Sequence, residues 1–150
     1  MPVQRYELDV VGVGYEGQVL DEFLSSLVRL GVRTLVDVRL TPISRKRGFS
    51  KRALAAAAES VGIEYEHLRS LGNPKDNRTG FAGGPDELTE ARARYRGLLD
   101  DGVAEQALDR IEQLGREGRV ALLCFEADEC RCHRQVLLQL LEGRRAGVTV

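Results

Sequence analysis

Five consecutive apolar residues, Val120-Ala-Leu-Leu-Cys124, break directly into a polar stretch holding Glu126, Asp128, Glu129, Arg131, His133 and Arg134. Apolar residues then return at Val136, Leu137, Leu138, Leu140 and Leu141. A short apolar run suits a buried strand, and the later spacing gives a helix one apolar face. The pattern predicts a strand, a short polar loop and a helix. Asp128 is a good N-cap and Glu129 suits a first helical turn, which places Cys132 at the fourth helical position. All three cysteines and one of the two histidines lie in this segment. In an open α/β sheet, ligands bind in the crevice at the carboxyl ends of strands, so this loop is where function is expected.

The rest of the chain repeats the alternation. Leu8 to Val13 reads as a first strand, and Leu20, Phe23, Leu24, Leu27 and Leu30 follow at helical spacing up to a Gly31 C-cap. Arg33 to Val38 is a second strand with β-branched content. Ser50 caps a helix that stops at Gly62, and Ile63 to Leu68 is a third strand. Asn73 to Pro85 has no periodicity and is rich in Gly, Pro, Asn and Asp, as a lid or mobile loop would be. Two helical stretches, Asp86 to Leu99 and Val103 to Glu117, lead to the Val120 strand. Gly147 to Val150 is an edge strand or a tail. Strands alternating with helices imply a mainly parallel sheet covered on both faces. The expected fold is α/β, a Rossmann-like three-layer sandwich of about five strands, built as one domain over residues 1–150.

Composition adds limits. The net charge is −1, so bulk charge points neither to nor away from nucleic acid. Its distribution is uneven: Arg39, Arg45, Lys46, Arg47, Lys51 and Arg52 form a run with no acid among them. Three clustered cysteines do not make a secreted disulfide framework. With no signal peptide and no long apolar run, a soluble cytoplasmic protein without a membrane partner is expected.

Each motif carries two readings. Gly12-Val-Gly-Tyr-Glu-Gly17, with Asp37 about twenty residues on, fits a dinucleotide fingerprint on paper. Tyr15 and Glu16 put bulk and negative charge where a phosphate would approach, so a tight strand-to-helix turn is the simpler account. Cys124, Cys130, Cys132 and His133 could be zinc ligands. However, no paired CxxC is present, and neighbouring Cys132 and His133 would point to different faces of a helix, so no metal is expected. Cys132 near a helix N-terminus, with Arg131 and Arg134 close by, could be an activated nucleophile. The opposing acids leave it only mildly acidified, which favours packing or substrate contact. Asp37, Arg39 and the Arg45-Lys46-Arg47 loop suit a phosphate or carboxylate, or are a solvated loop with Asp37 paired to an arginine. Tyr15 and Phe49 could offer stacking faces to a base.

Several of these residues also carry a resemblance. Val36-Asp-Val-Arg39 with Pro42 and Ser44-Arg45, Gly62-Ile-Glu-Tyr65 with Leu68 and Leu71-Gly72, Leu123-Cys-Phe-Glu126, and Cys132-His-Arg134 together resemble the domain-of-unknown-function family 488. The resemblance runs from about Val10 to the end. It implies a small α/β protein and a site, without an established activity. Asp37, Arg39, Ser44, Cys124, Glu126, Cys132, His133 and Arg134 match the family's motifs. The family's usual Gly-His-Ser or Gly-His-Thr after the first strand is Gly14-Tyr15-Glu16 here, so a mechanism using that histidine is in doubt. Cys130 is outside the family pattern.

Two functions are expected to compete. In one, an enzyme takes a phosphorylated or nucleotide-like substrate in a polar anion-binding crevice. His133, Glu126, Asp37 and Cys132 are its catalytic candidates, and Arg39, Ser44, Arg45 and Arg134 its substrate-binding ones. In the other, a non-catalytic nucleic-acid or nucleotide binder uses the basic loop 45–52. No cofactor and no oligomeric state follow from the residues.

Overall fold

The computed structural model describes residues 9–147, with side chains to 144. Four strands form one fully parallel sheet in the order β1-β4-β2-β3: β1 (Val10–Gly14), β2 (Val32–Asp37), β3 (Glu64–His67) and β4 (Arg119–Cys124). Six α-helices accompany them: α1 (Leu20–Arg29), α2 (Lys51–Ser60), α3 (Lys75–Phe81), α4 (Pro85–Leu98), α5 (Gly102–Glu117) and α6 (Arg134–Gly147). The described sheet thus has four strands where about five were expected. The remaining candidate strand, the tail 147–150, lies outside the described residues beyond Gly147, as does Leu8 at the start of the first.

The layering follows from chirality. Crossovers between parallel strands are right-handed. The β1-to-β2 and β2-to-β3 steps run in one direction across the sheet, and the step back to β4 runs in the other. Their helices therefore cover opposite faces. On one side Phe23, Leu27, Leu54 and Ala58 pack with Leu35, Ala121 and Leu123 of the sheet. On the other, Ala91, Tyr95, Leu108, Ile111, Val136 and Leu137 pack with Val36, Val120 and Leu122. Alternate residues of β4 thus feed opposite cores, which is why Val120 to Cys124 is apolar without interruption.

Two predicted boundaries move for physical reasons. The 73–85 stretch contains α3 rather than a bare loop, and its Asn77 side chain is buried, donating to Asn73 Oδ1 at 2.9 Å and to the Ala91 carbonyl at 3.0 Å. Ser50 does precede α2, but its hydroxyl donates to the Ser44 carbonyl and accepts from the Ser44 amide instead of capping the helix.

Candidate functional site

The carboxyl ends of β1, β2 and β4 meet at the centre of the sheet edge, and Cys124 is the last residue of β4. The chain then makes a single 3-10 turn, Glu129–Arg131, closed by Asp128, whose carboxylate accepts from the Cys130 amide at 3.0 Å. Asp128 is a cap as expected, but of this turn and not of the long helix. Cys132 ends the turn in an extended conformation, φ −135° and ψ 149°. Helix α6 begins only at Arg134. Cys132 therefore lies just before α6 and not in its first turn, and its Sγ accepts from the Arg134 amide, the first of that helix, at 3.5 Å.

This backbone path turns three side chains inward. Cys124, Cys132 and His133 are 4%, 2% and 4% exposed, and their ligand-capable atoms lie within 4.8 Å of one another. Cys124 and Cys132 meet as a disulfide pair with Cα atoms 7.2 Å apart, while Cys130 is free and exposed. His133 Nε2 is 2.8 Å from the Val38 carbonyl. A carbonyl only accepts, so Nε2 carries the proton and Nδ1 presents its lone pair. Nδ1 is 3.8 Å from Cys124 Sγ and 3.6 Å from Cys132 Sγ. Burial pushes the His133 pKa down to about 4, helped by the positive charges of Arg134 and Arg78, so the ring is neutral at physiological pH. Cys124 Sγ also lies 2.9 Å from Glu126 Oε2.

A cavity of about 60 Å³ opens beside this cluster, lined among others by Arg39, Asn73, Arg78, Cys124, Glu126 and His133. The larger hollows, such as one of about 450 Å³ around Glu59, Ile63 and Arg110, lie away from the cysteines and His133. Three of the sequence candidates, Arg39, Glu126 and His133, line the small cavity.

The others are placed differently. Asp37 is fully buried, accepting from Arg39 Nε at 2.9 Å and Nη2 at 2.7 Å and from the Tyr65 hydroxyl. Burial lowers the Arg39 pKa, but bonding to Asp37 and its charge outweigh that and raise it above its ordinary value. Burial and the Asp37 charge push the Tyr65 hydroxyl up as well. Arg39 Nη1 donates to the Phe49 carbonyl at 2.7 Å and the Tyr15 hydroxyl at 3.2 Å. Both donor edges of Arg39 are thus committed to the protein. Arg134 is 1% exposed and donates from Nη2 to the Glu126 carbonyl at 2.6 Å. Burial lowers its pKa against the pull of Glu129, Glu126 and Asp128. Ser44 accepts from the Lys46 amide at 3.1 Å and shapes the loop, and Arg45 is exposed on it.

The glycine motif has a local explanation. A Cβ on Gly12 would collide with the Glu129 carboxylate, and one on Gly14 with the Glu126 carbonyl, with Arg134 Nη1 at 2.9 Å. The two glycines let the 125–134 loop lie against β1. Glu16 closes the same junction: its carboxylate accepts from the Ala127 amide at 3.0 Å, and its amide donates to the Phe125 carbonyl at 2.9 Å. Tyr15 and Phe49 are 3% and 0% exposed and stack on each other at 4.4 Å, so they offer no face to a base.

Arg78 is the cavity residue that sequence reasoning missed. It sits in α3, which Arg131 ties to the 3-10 turn by donating to the Phe81 and Gly83 carbonyls at 3.3 and 2.6 Å. The signal was present: Pro74 followed by Asp76 marks a helix start.

The sequence model of the family described as "Domain of unknown function DUF488" matches residues 19–141. The match begins after β1, where the Gly14-Tyr15-Glu16 departure lies, and not at about Val10. No curated protein matches, and no solved structure matches. No helix among the described residues is long and apolar enough to cross a membrane. The chain belongs to the DUF488 family.

Proposed function

We propose that this DUF488-family protein is an enzyme that acts on the anionic end of a small substrate, a phosphoryl or carboxylate group, in the cavity at the carboxyl edge of the sheet. One observation carries the proposal: His133 is held by Val38 with its Nδ1 lone pair aimed at the Cys124 and Cys132 sulfurs, beside a cavity that also presents Glu126 and Arg78. A neutral imidazole, the Cys124 sulfur and a carboxylate gathered around a small space are groups that make and break bonds or move protons. In this reading Arg78 attracts the anion and Glu126 takes or gives the proton. Arg39 lines the cavity and is held there by Asp37, while Arg134 holds the Glu126 backbone. The cavity is small beside the roughly 300–1,000 Å³ of pockets that enclose drug-sized ligands. It takes a terminal group and leaves the rest of the substrate outside.

The nucleic-acid alternative keeps the exposed Arg45, Arg47, Lys51 and Arg52. It loses the stacking rings and Lys46, whose ammonium donates to the Gln18 and Tyr15 carbonyls at 2.7 and 3.3 Å.

Thermal melts with inorganic phosphate, a panel of phosphomonoesters, nucleotides and carboxylates separate the two. A ligand at about 100 times its Kd stabilises the native state by about 2.7 kcal/mol. The expected result is a shift for wild type and for Arg45→Ala/Arg47→Ala, and none for Arg78→Ala. A shift lost only in the loop variant, or stabilisation by single-stranded nucleic acid that collapses with salt, would favour the binder. No shift with any anion would overturn the proposal.

A further inference from the structure

We propose that Cys124, Cys132 and His133 form a metal site for one zinc ion, with its fourth coordination position facing the cavity. This inference rests on the assignment of that cavity as the functional site and adds the ion that would sit at its floor. The residues are not the set that sequence spacing argued against. Cys130 is exposed and outside the cluster. The objection that Cys132 and His133 point to different helix faces does not apply, because Cys132 is extended and precedes α6.

The geometry suits a tetrahedral ion. Zinc binds thiolate sulfur at about 2.3 Å and imidazole nitrogen at about 2.0–2.1 Å, so a tetrahedral angle puts ligand sulfur and nitrogen about 3.6 Å apart. The two observed separations from Nδ1 are 3.8 and 3.6 Å. The Cα separation of Cys124 and Cys132, 7.2 Å, is wider than the usual disulfide span, about 4.4–6.8 Å. With the disulfide reduced, the two sulfurs can separate to take an ion between them.

The chemistry points the same way. A ligating histidine generally donates its other ring N–H to a carbonyl or carboxylate, which fixes the tautomer. His133 does so to Val38. Two thiolates at these burials would be costly alone, and a dication bound through a neutral imidazole balances both charges. Two thiolates and an imidazole select zinc over magnesium or calcium. Cys124 and His133 line the cavity, so an ion held by them would border the space a substrate enters. Three protein ligands with an open fourth position is the pattern of catalytic zinc. Glu126, 2.9 Å from Cys124 Sγ, is placed either to complete the shell or to take a proton from water there. Binding to the dithiol releases two protons. The disulfide form must first be reduced to the dithiol, either by two thiols that leave as their own disulfide or by a phosphine that becomes its oxide while water supplies the oxygen and the two protons.

The test is metal content and cobalt spectroscopy on the full chain. Wild type purified with a phosphine reductant and no chelator should contain about one zinc per chain by mass spectrometry of metals. Stripped and titrated with Co²⁺, it should show thiolate-to-cobalt charge-transfer absorption that saturates at one equivalent. Cys130→Ser should match wild type. Cys124→Ser, Cys132→Ser and His133→Ala should each lose the band while keeping a folded circular dichroism spectrum. If those variants do not fold, the wild-type stoichiometry still decides. Wild type with no zinc and no cobalt band, and with both thiols recovered as a disulfide, would overturn the site. A phosphate-dependent melting shift alongside that failure would leave the cavity assignment standing. Stoichiometric zinc with no anion shift would do the reverse.

Discussion

Asp37→Asn removes one charge from the ion pair that holds the cavity-lining Arg39 and leaves the side-chain shape almost unchanged. Asp37 is 0% and Arg39 7% exposed, and two hydrogen bonds, at 2.9 and 2.7 Å, join them as a fork. Without the carboxylate charge, the Arg39 guanidinium is buried with only neutral acceptors, the Phe49 carbonyl and the Tyr15 hydroxyl. Removing one partner of a buried ion pair costs about 3–5 kcal/mol. That is a fifth or more of a typical domain's total of about 5–15 kcal/mol. At about 2–4 °C per kcal/mol for a chain of this size, Tm should fall by roughly 6–20 °C. Urea unfolding followed by circular dichroism should show a lower midpoint with an unchanged slope. Tyr65→Phe, which removes one hydrogen bond to the same carboxylate, should cost about 1.5–3 kcal/mol. The paired replacement Asp37→Leu/Arg39→Met should recover much of the loss, since apolar groups of similar volume often replace a buried pair at little cost. An Asp37→Asn protein within about 0.5 kcal/mol of wild type, the scatter of ordinary surface substitutions, would refute this structural role. It would return both residues to substrate handling.

Three other outcomes are expected. His133 has a folded pKa of about 4 against 6.5 unfolded, so the unfolded chain takes up the proton first as pH falls. Its contribution is complete above pH 6.5 and lost on the way down to pH 4. In chelator-treated protein with the Cys124–Cys132 disulfide intact, urea midpoints from pH 7.5 to 4 should fall more steeply for wild type than for His133→Gln, by up to about 3 kcal/mol in total. Parallel profiles would contradict the burial of a neutral ring. Gly14→Ala should destabilise by about 1–3 kcal/mol as an overpacked site, whereas Gly97→Ala, with nothing near its Cβ in α4, should stabilise by up to about 1 kcal/mol. Equal melting curves for the two would show that the loop does not press on β1. In native protein, maleimide should modify Cys130 quickly and Cys124 and Cys132 only after unfolding and reduction, and peptide mapping that finds either of the latter labelled first would contradict their burial.

Much of the fold was legible because its signals are local and repeated. The 3–4 spacing of Leu20, Phe23, Leu24 and Leu27 is the buried face of α1, and Gly31 adopts the positive φ, 72°, that ends it. The uninterrupted run in β4 announced a central strand. Helix α3 was missed because its Lys75-Asp-Asn-Arg-Thr-Gly-Phe81 sequence has little apolar periodicity. It is held through buried Asn77 and Phe81, and so by tertiary contacts that no local window contains. Cys132 was misplaced for a related reason. The Asp128 cap is real, but the turn it opens ends after three residues. The chain must then extend to bring Cys132 against Cys124 and His133 against Val38. Side-chain convergence overrides helix propensity there.

The arginines show why a site is harder to read than a fold. Sequence alone counts Arg39 and Arg134 as available cations beside a basic loop. In the structure Arg39 is committed to Asp37 two residues earlier, which is the same side of an extended chain. Arg134 is buried over Gly14 and drawn to the Glu126 carbonyl. Arg131 is committed to the Phe81 and Gly83 carbonyls. Of the arginines near the cysteines, Arg78 combines exposure with a place on the cavity wall. A cavity that is served by one exposed guanidinium and a neutral imidazole, with a carboxylate at its rim, is poorly matched to a polyanion. The proposed substrate is therefore one of one or two negative charges. Any larger positive charge must come from an ion held by Cys124, Cys132 and His133. The choice between a modest anion site and a strongly electrophilic one therefore depends on whether the two sulfurs share a bond or a metal.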